Sequence, residues 1–284
     1  MGIEHLTTPD GRTLAWTARG AGPVLVAHGG GPGADPAYLD ELPDLGKWRT
    51  VVALHARGTG ASSRASTYAL AEYAADLETL REHLGVERLD VLGHSHGGFV
   101  AMTWAAAHPG RVGRLVLANT HARFDWTRRD GPALVALHAG EPWFAAATAA
   151  HERRTTQTAE LSDDDIAALY EQAVPLLFAR AGPRELALAK LIGKTFNGDA
   201  LRWFNANLAP TFDLRPLLAS ITAPTLVITG ERDPAAPPSA AAELAGLIPG
   251  ARLALVPDAG HFTAWESMGR EAFAREVGEF LVAG

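Results

Sequence analysis

The sequence predicts an α/β fold: a mostly parallel, twisted sheet flanked by helices, with a helical cap inserted into it. Three observations carry that reading. Short apolar runs of strand length alternate with segments of helical period on both sides of the chain's middle. Several of those runs end in glycine-rich polar turns, at His28 to Gly33, Arg57 to Ser63 and Gly93 to Gly98. The middle of the chain, 120–216, offers no run that reads as a buried strand. The expected organisation is a sheet-and-helix core over 1–119 and 217–284, with a cap, or lid, over 120–216.

Residues 3–8 and 13–18 read as two short strands about the turn Pro9-Asp10-Gly11, an antiparallel hairpin. Pro23-Val24-Leu25-Val26-Ala27 is a continuous apolar run, as expected of a strand covered on both faces. It leads into His28-Gly29-Gly30-Gly31-Pro32-Gly33, whose backbone N–H groups can converge on an anion. Gly29, Gly31 and Ala34 also satisfy a permissive dinucleotide fingerprint. Two features speak against a nucleotide: Pro32, Asp35 and Pro36 break up the helix start, and the next strand, 51–54, ends in His55-Ala56-Arg57 instead of an acidic residue. No cofactor is expected, and an oxyanion loop fits better.

Arg57 reads as an arginine tying loop carbonyls together. Residues 68–84 carry Leu70, Tyr73, Ala74, Leu77, Leu80 and Leu84 at helical spacing and stop at Gly85. A strand at 89–92, a helix at 99–108 closed by Pro109-Gly110, and a strand at 112–118 complete the first half. Such alternation implies parallel strands joined by right-handed crossovers, with ligand loops at the strands' carboxyl ends.

Helical stretches at 131–138, 142–153, 163–178 and 183–194 fill the cap, which is rich in aromatic residues. Its position over the strand ends makes it the source of substrate contacts, with Glu141, Trp143, Phe144, Glu171 and Phe204 as candidates. The sheet pattern resumes at 223–230. A helix at 239–247, a last strand at 252–256 and a closing helix at 273–282 follow, the pair Trp265-Glu266 being expected to open that helix.

Chemistry concentrates at three strand ends. Gly93, Ser95 and Gly97 form G-x-S-x-G between a strand and a helix, a turn that lifts a serine above the sheet edge. Asp233 and His261 each follow a parallel strand, so the topology can bring all three together. A serine hydroxyl is a poor nucleophile until an imidazole takes its proton and a carboxylate orients that imidazole. Ser95, His261 and Asp233 are therefore the expected catalytic triad. Asp258 competes for the acid's place but sits within the turn before His261. The backbone N–H of His96 is the expected first oxyanion donor, with that of Gly30 or Gly29 as the second. His94 and His96 form an H-x-H pair, yet no further ligand cluster follows, so no metal is expected.

The chain holds 25 basic and 32 acidic residues, a net charge of -7, with no basic tract for nucleic acid. There are no cysteines, which excludes disulfides, thiolate metal sites and a cysteine nucleophile. No apolar run is long enough for a bilayer, and no basic segment followed by an apolar run opens the chain. The expected location is cytoplasmic, with no membrane partner. Composition carries no signal of oligomeric state.

Taken together, H-G-G-G-P-G at 28–33, R-G-T-G-A-S at 57–62, G-H-S-H-G-G at 93–98, G-E-R-D at 230–233 and G-H-F at 260–262 resemble the α/β-hydrolases. The loops at His28 and Arg57 are most similar to the proline iminopeptidase branch. That resemblance implies a serine aminopeptidase or amidase acting through an acyl-enzyme on small-molecule or short-peptide substrates. A carboxylic esterase or lactonase is the alternative, and a receptor or cyclase on the same fold a third. Two features depart from the peptidase pattern: the loop has one glycine more than H-G-G-P-G, and the cap lacks the Trp-Glu pairing that holds a substrate amine.

Overall fold

The computed structural model describes residues 2–43 and 45–282. Eight strands form one sheet: β1 (Ile3–Thr7), β2 (Thr13–Gly20), β3 (Val24–His28), β4 (Thr50–His55), β5 (Leu89–His94), β6 (Val112–Ala118), β7 (Thr225–Gly230) and β8 (Arg252–Val256). Their spatial order is β1-β2-β4-β3-β5-β6-β7-β8. The pairings of β1 with β2 and of β2 with β4 are antiparallel, and every other pairing is parallel. The continuous apolar runs occupy the middle, where every residue of β7 is buried. At the edges, Ile3 on β1 and Leu253 and Leu255 on β8 meet solvent.

Helices cover both faces. On one side α1 (Leu70–His83) and α2 (His96–Ala107) pack together, and α9 (Pro238–Leu247) contributes Ala241 and Leu244 to the same core. On the other side α10 (Arg270–Val282) seals a second core with Phe273, Val277 and Leu281. Apolar residues run all round α2, as suits a helix with little solvent-facing surface.

Between β6 and β7 the described residues form helices and no strand of the sheet: α3 (Asp125–Val135), α4 (Phe144–Thr156), α5 (Asp163–Ala173), α6 (Pro183–Ile192), α7 (Gly198–Asn207) and α8 (Arg215–Leu218), with short 3-10 turns and connecting loops. A capping box starts α5, Ser162 and Asp165 each satisfying the other's backbone. The expected 163–178 helix instead tightens into a 3-10 turn at Val174–Leu177, where Pro175 cannot donate to an α-helical ladder. The sequence reading lacked α7, although Asn197 caps it by accepting from the Asp199 N–H. Trp265 and Glu266 lie before the last helix, which begins at Arg270.

Candidate active site

The turn after β5 holds Ser95 at φ 53, ψ -118, a region that side-chain-bearing residues rarely adopt. Three hydrogen bonds hold it there. The Ser95 N–H donates to Ala118 O at 3.0 Å, and Ser95 O accepts from Gly98 N–H and Thr120 Oγ1, both at 2.8 Å. A Cβ at Gly97 would lie 2.2 Å from His28 O, so only glycine lets α2 start this close to β3.

The strand ends converge as the topology requires. Ser95 Oγ lies 3.0 Å from His261 Nε2, and His261 Nδ1 lies 3.0 Å from both carboxylate oxygens of Asp233. Asp233 is fully buried. Its Oδ1 accepts from the N–H groups of Ala235 and Ala236, and its Oδ2 from Asn119 Nδ2 and Thr229 Oγ1. Burial alone would raise this carboxyl. The His261 ring, the Ala236 N–H and Asn119 outweigh it and hold the group at about 2.

Asn119 follows β6 and was not singled out in the sequence. At φ 49 it occupies the left-handed region that asparagine tolerates better than most residues. Its Nδ2 reaches Asp233 Oδ2 and Thr263 Oγ1 at 2.9 Å and Gly260 O at 3.0 Å. One amide thus ties the acid to the loop carrying His261. Asp258, the sequence's competitor for the acid, pairs with Arg232 at 2.6 Å on the surface.

The amides of His96 and Gly97 open α2 and have no intrahelical acceptor, so both are available beside Ser95. Gly30 and Gly29 are the two residues expected to supply the second donor. The Gly30 N–H already donates to Tyr38 Oη at 2.5 Å and is not free in this state. Gly30 touches Ser95 closely, since a Cβ there would lie 2.7 Å from Ser95 Cβ. Gly29 packs against the Tyr38 ring, whereas Gly31 and Pro32 carry the loop onto the cavity wall.

His94 and His96 face different surroundings. His94 packs against Tyr38, Phe262 and Trp265, and His96 against Tyr73, Phe99 and Phe204. Among the described residues no group of three or more metal-ligating side chains converges. Arg57 is buried, paired with Asp76 at 2.8 Å and donating to Thr67 O, which gives it the loop-tying place expected of it. Glu266 is also buried and accepts from the N–H groups of Ala179, Gly260 and Phe262. With His261 N–H donating to Leu177 O at 2.7 Å, it fastens the helical insertion to the histidine loop.

A cavity of about 840 Å³ opens above Ser95 and His261. Phe204 lies on its wall, but Glu141, Trp143, Phe144 and Glu171 do not, which corrects the expected set of contacts. The wall comes instead from α3, the last turns of α4, Tyr170 on α5 and Leu201, Phe204 and Asn205 on α7. Among the described residues Arg128 and Arg154 are its charged groups, and no aspartate or glutamate lines it.

The alpha/beta hydrolase fold model matches residues 22–267, and the chain belongs to that family. A 2-hydroxymuconate semialdehyde hydrolase from Pseudomonas sp. (strain CF600) is 32% identical over 274 residues, covering 92% of this chain and 88% of that protein. A proline iminopeptidase from Pestalotiopsis fici is 26% identical, covering 84% of each. The crystal structure of a hydrolase from Pseudomonas aeruginosa superposes with a TM-score of 0.76 at 31% identity, covering 99% of both chains. The family stands as the motifs implied. The iminopeptidase branch is the weaker of the two named likenesses.

Proposed function

We propose that this chain is a serine hydrolase of small acyl compounds, cutting an ester, a lactone or an activated ketone instead of an N-terminal peptide bond. One observation carries the choice of substrate: among the described residues the cavity above Ser95 has two arginines and no carboxylate on its wall. A free substrate ammonium placed there would be desolvated without a counter-ion. The likeness to a 2-hydroxymuconate semialdehyde hydrolase, stronger than that to a proline iminopeptidase, supports the same reading.

In the proposed reaction Ser95 Oγ attacks the carbonyl carbon while its proton passes to His261 Nε2, 3.0 Å away. Asp233 holds the Nδ1–H and stabilises the imidazolium. The amides of His96 and Gly97 at the start of α2 stabilise the oxygen that gains charge. Collapse expels the leaving group, which takes the proton from His261, and leaves Ser95 acylated. Water, deprotonated by His261, releases the acid.

The test is one assay series with the full chain on proline arylamide, short acyl p-nitrophenyl esters and a 2-hydroxy-6-oxo-dienoate. Turnover of the ester or the dienoate without the arylamide is expected. Turnover of the arylamide alone would overturn the substrate choice.

A further inference from the structure

Arg154 closes the last turn of α4 and faces the cavity. Its guanidinium stands 5.1 Å from the centre of the Tyr170 ring. Its Nε is buried with no hydrogen-bond partner, and no ion pair or side-chain hydrogen bond to Arg154 occurs among the described residues. Arg154 is half-buried, and the fold pairs its buried arginines with carboxylates. Arg57 meets Asp76 at 2.8 Å, Arg81 meets Glu78 at 2.7 Å and Arg49 meets Asp90 at 3.0 Å. Enclosing part of a guanidinium without an acceptor costs hydration, and a ligand carboxylate supplies the missing partner through charge-assisted, often bidentate bonds.

The position fits a substrate anchor. The Tyr170 hydroxyl stands beside Gly31, 3.2 Å from where a Cβ on that glycine would lie. Gly31 adjoins Gly30, which touches Ser95. The Tyr170 side chain thus touches both the guanidinium and the loop beside Ser95. Arg128 adds a second cation on the cavity wall, with its guanidinium 5.9 Å from the Phe124 ring.

We propose that Arg154 is the anion anchor of this pocket, and that the substrate carries a carboxylate in addition to the scissile carbonyl. The placement of the carbonyl rests on the serine hydrolase reading; the anchor itself does not. The test therefore reads binding without turnover.

Monomethyl adipate, which carries one carboxylate, and dimethyl adipate, which carries none, are titrated calorimetrically into the Ser95→Ala chain at neutral pH and low salt. The acid is expected to bind at least ten-fold more tightly than the diester. That ratio is expected to fall to near one when Arg154→Gln is added and to stay above three-fold with Arg154→Lys. Equal affinity for the two compounds in the Ser95→Ala chain, or a ratio that survives Arg154→Gln, would overturn the anchor. Hydrolysis of the monoester by the unsubstituted chain, measured in parallel, reports separately on the hydrolase reading: preferential binding without turnover keeps the anchor and rejects the reaction.

Discussion

Tyr38 Oη lies 2.9 Å from Nδ1 of His94, and the opposite nitrogen of that ring lies 2.9 Å from the backbone oxygen of His261. The proton positions follow from the partners. Burial holds His94 far below its ordinary value, at about 3, so the ring is neutral and carries one proton. A carbonyl can only accept, which puts that proton on Nε2. Nδ1 then accepts from the Tyr38 hydroxyl, and the tyrosine oxygen in turn accepts from Gly30 N–H. A buried chain of three hydrogen bonds thus links the glycine loop to the backbone of the triad histidine.

Tyr38→Phe removes the hydroxyl from that chain and leaves a buried amide and a ring nitrogen without partners. Stability is expected to fall by about 1 to 3 kcal/mol. As a positioning residue, Tyr38 acts on where Gly30 and His261 sit, not on substrate binding. The expected signature is a kcat lower by roughly ten-fold with KM nearly unchanged. Steady-state kinetics with a short acyl ester check it, and a raised KM at full kcat would contradict it.

Asn119→Ala deletes the amide that ties Asp233 to the histidine loop. It also places alanine in a left-handed backbone position that asparagine tolerates better. Urea denaturation is expected to show a loss of about 2 to 3 kcal/mol. The kcat is expected to drop by roughly ten- to a hundred-fold, because His261 loses part of its alignment. Wild-type kcat in this variant would show that the acid is held by its other partners alone.

Four histidines make the fold acid-sensitive. Burial lowers His28 to about 4 and His94, His96 and His121 to about 3, from an ordinary value near 6.5. Between those values the unfolded chain binds protons that the folded chain does not, so stability is full above pH 6.5 and declines as pH falls toward 3. Each histidine contributes roughly 1.4 kcal/mol per pH unit within that window. Asp233 acts in the same direction lower down, losing its contribution as pH falls from 3.8 through about 2. Thermal melting at pH 7.5 and 5.5 is expected to differ by on the order of 10 °C. A flat profile would mean that these rings are not buried neutral.

The convergence of Ser95, Asp233 and His261 was legible in the sequence because each position depends on something local. An apolar run of strand length ends, and a chemically distinctive residue follows it at the sheet's carboxyl edge. Ser95 is marked further by its glycines, whose absence of Cβ is a steric requirement of the turn. Asn119 also follows a strand, but an asparagine there looks like any turn residue, and its value lies in Asp233, Gly260 and Thr263, all distant in sequence. Tyr38 sits in a 3-10 turn with no periodicity, and only the fold brings it to His94. The pocket was the least legible part. Glu141 and Glu171 were candidates by residue type, whereas helix packing selects Arg154, Tyr170 and a helix, α7, that short-range patterning did not reveal. Glu266 misled for the same reason: it looks like a first-turn helical acid but is buried as an acceptor for three amides.

The central claim is that Ser95 is the nucleophile, activated by His261. Its most direct test is labelling by a fluorophosphonate, read by intact mass and peptide mapping on the wild-type, Ser95→Ala and His261→Ala chains. The account predicts one adduct on the wild type, located at Ser95, none on Ser95→Ala, and labelling slowed by roughly a thousand-fold or more on His261→Ala. Equal labelling of the wild-type and Ser95→Ala chains would contradict it.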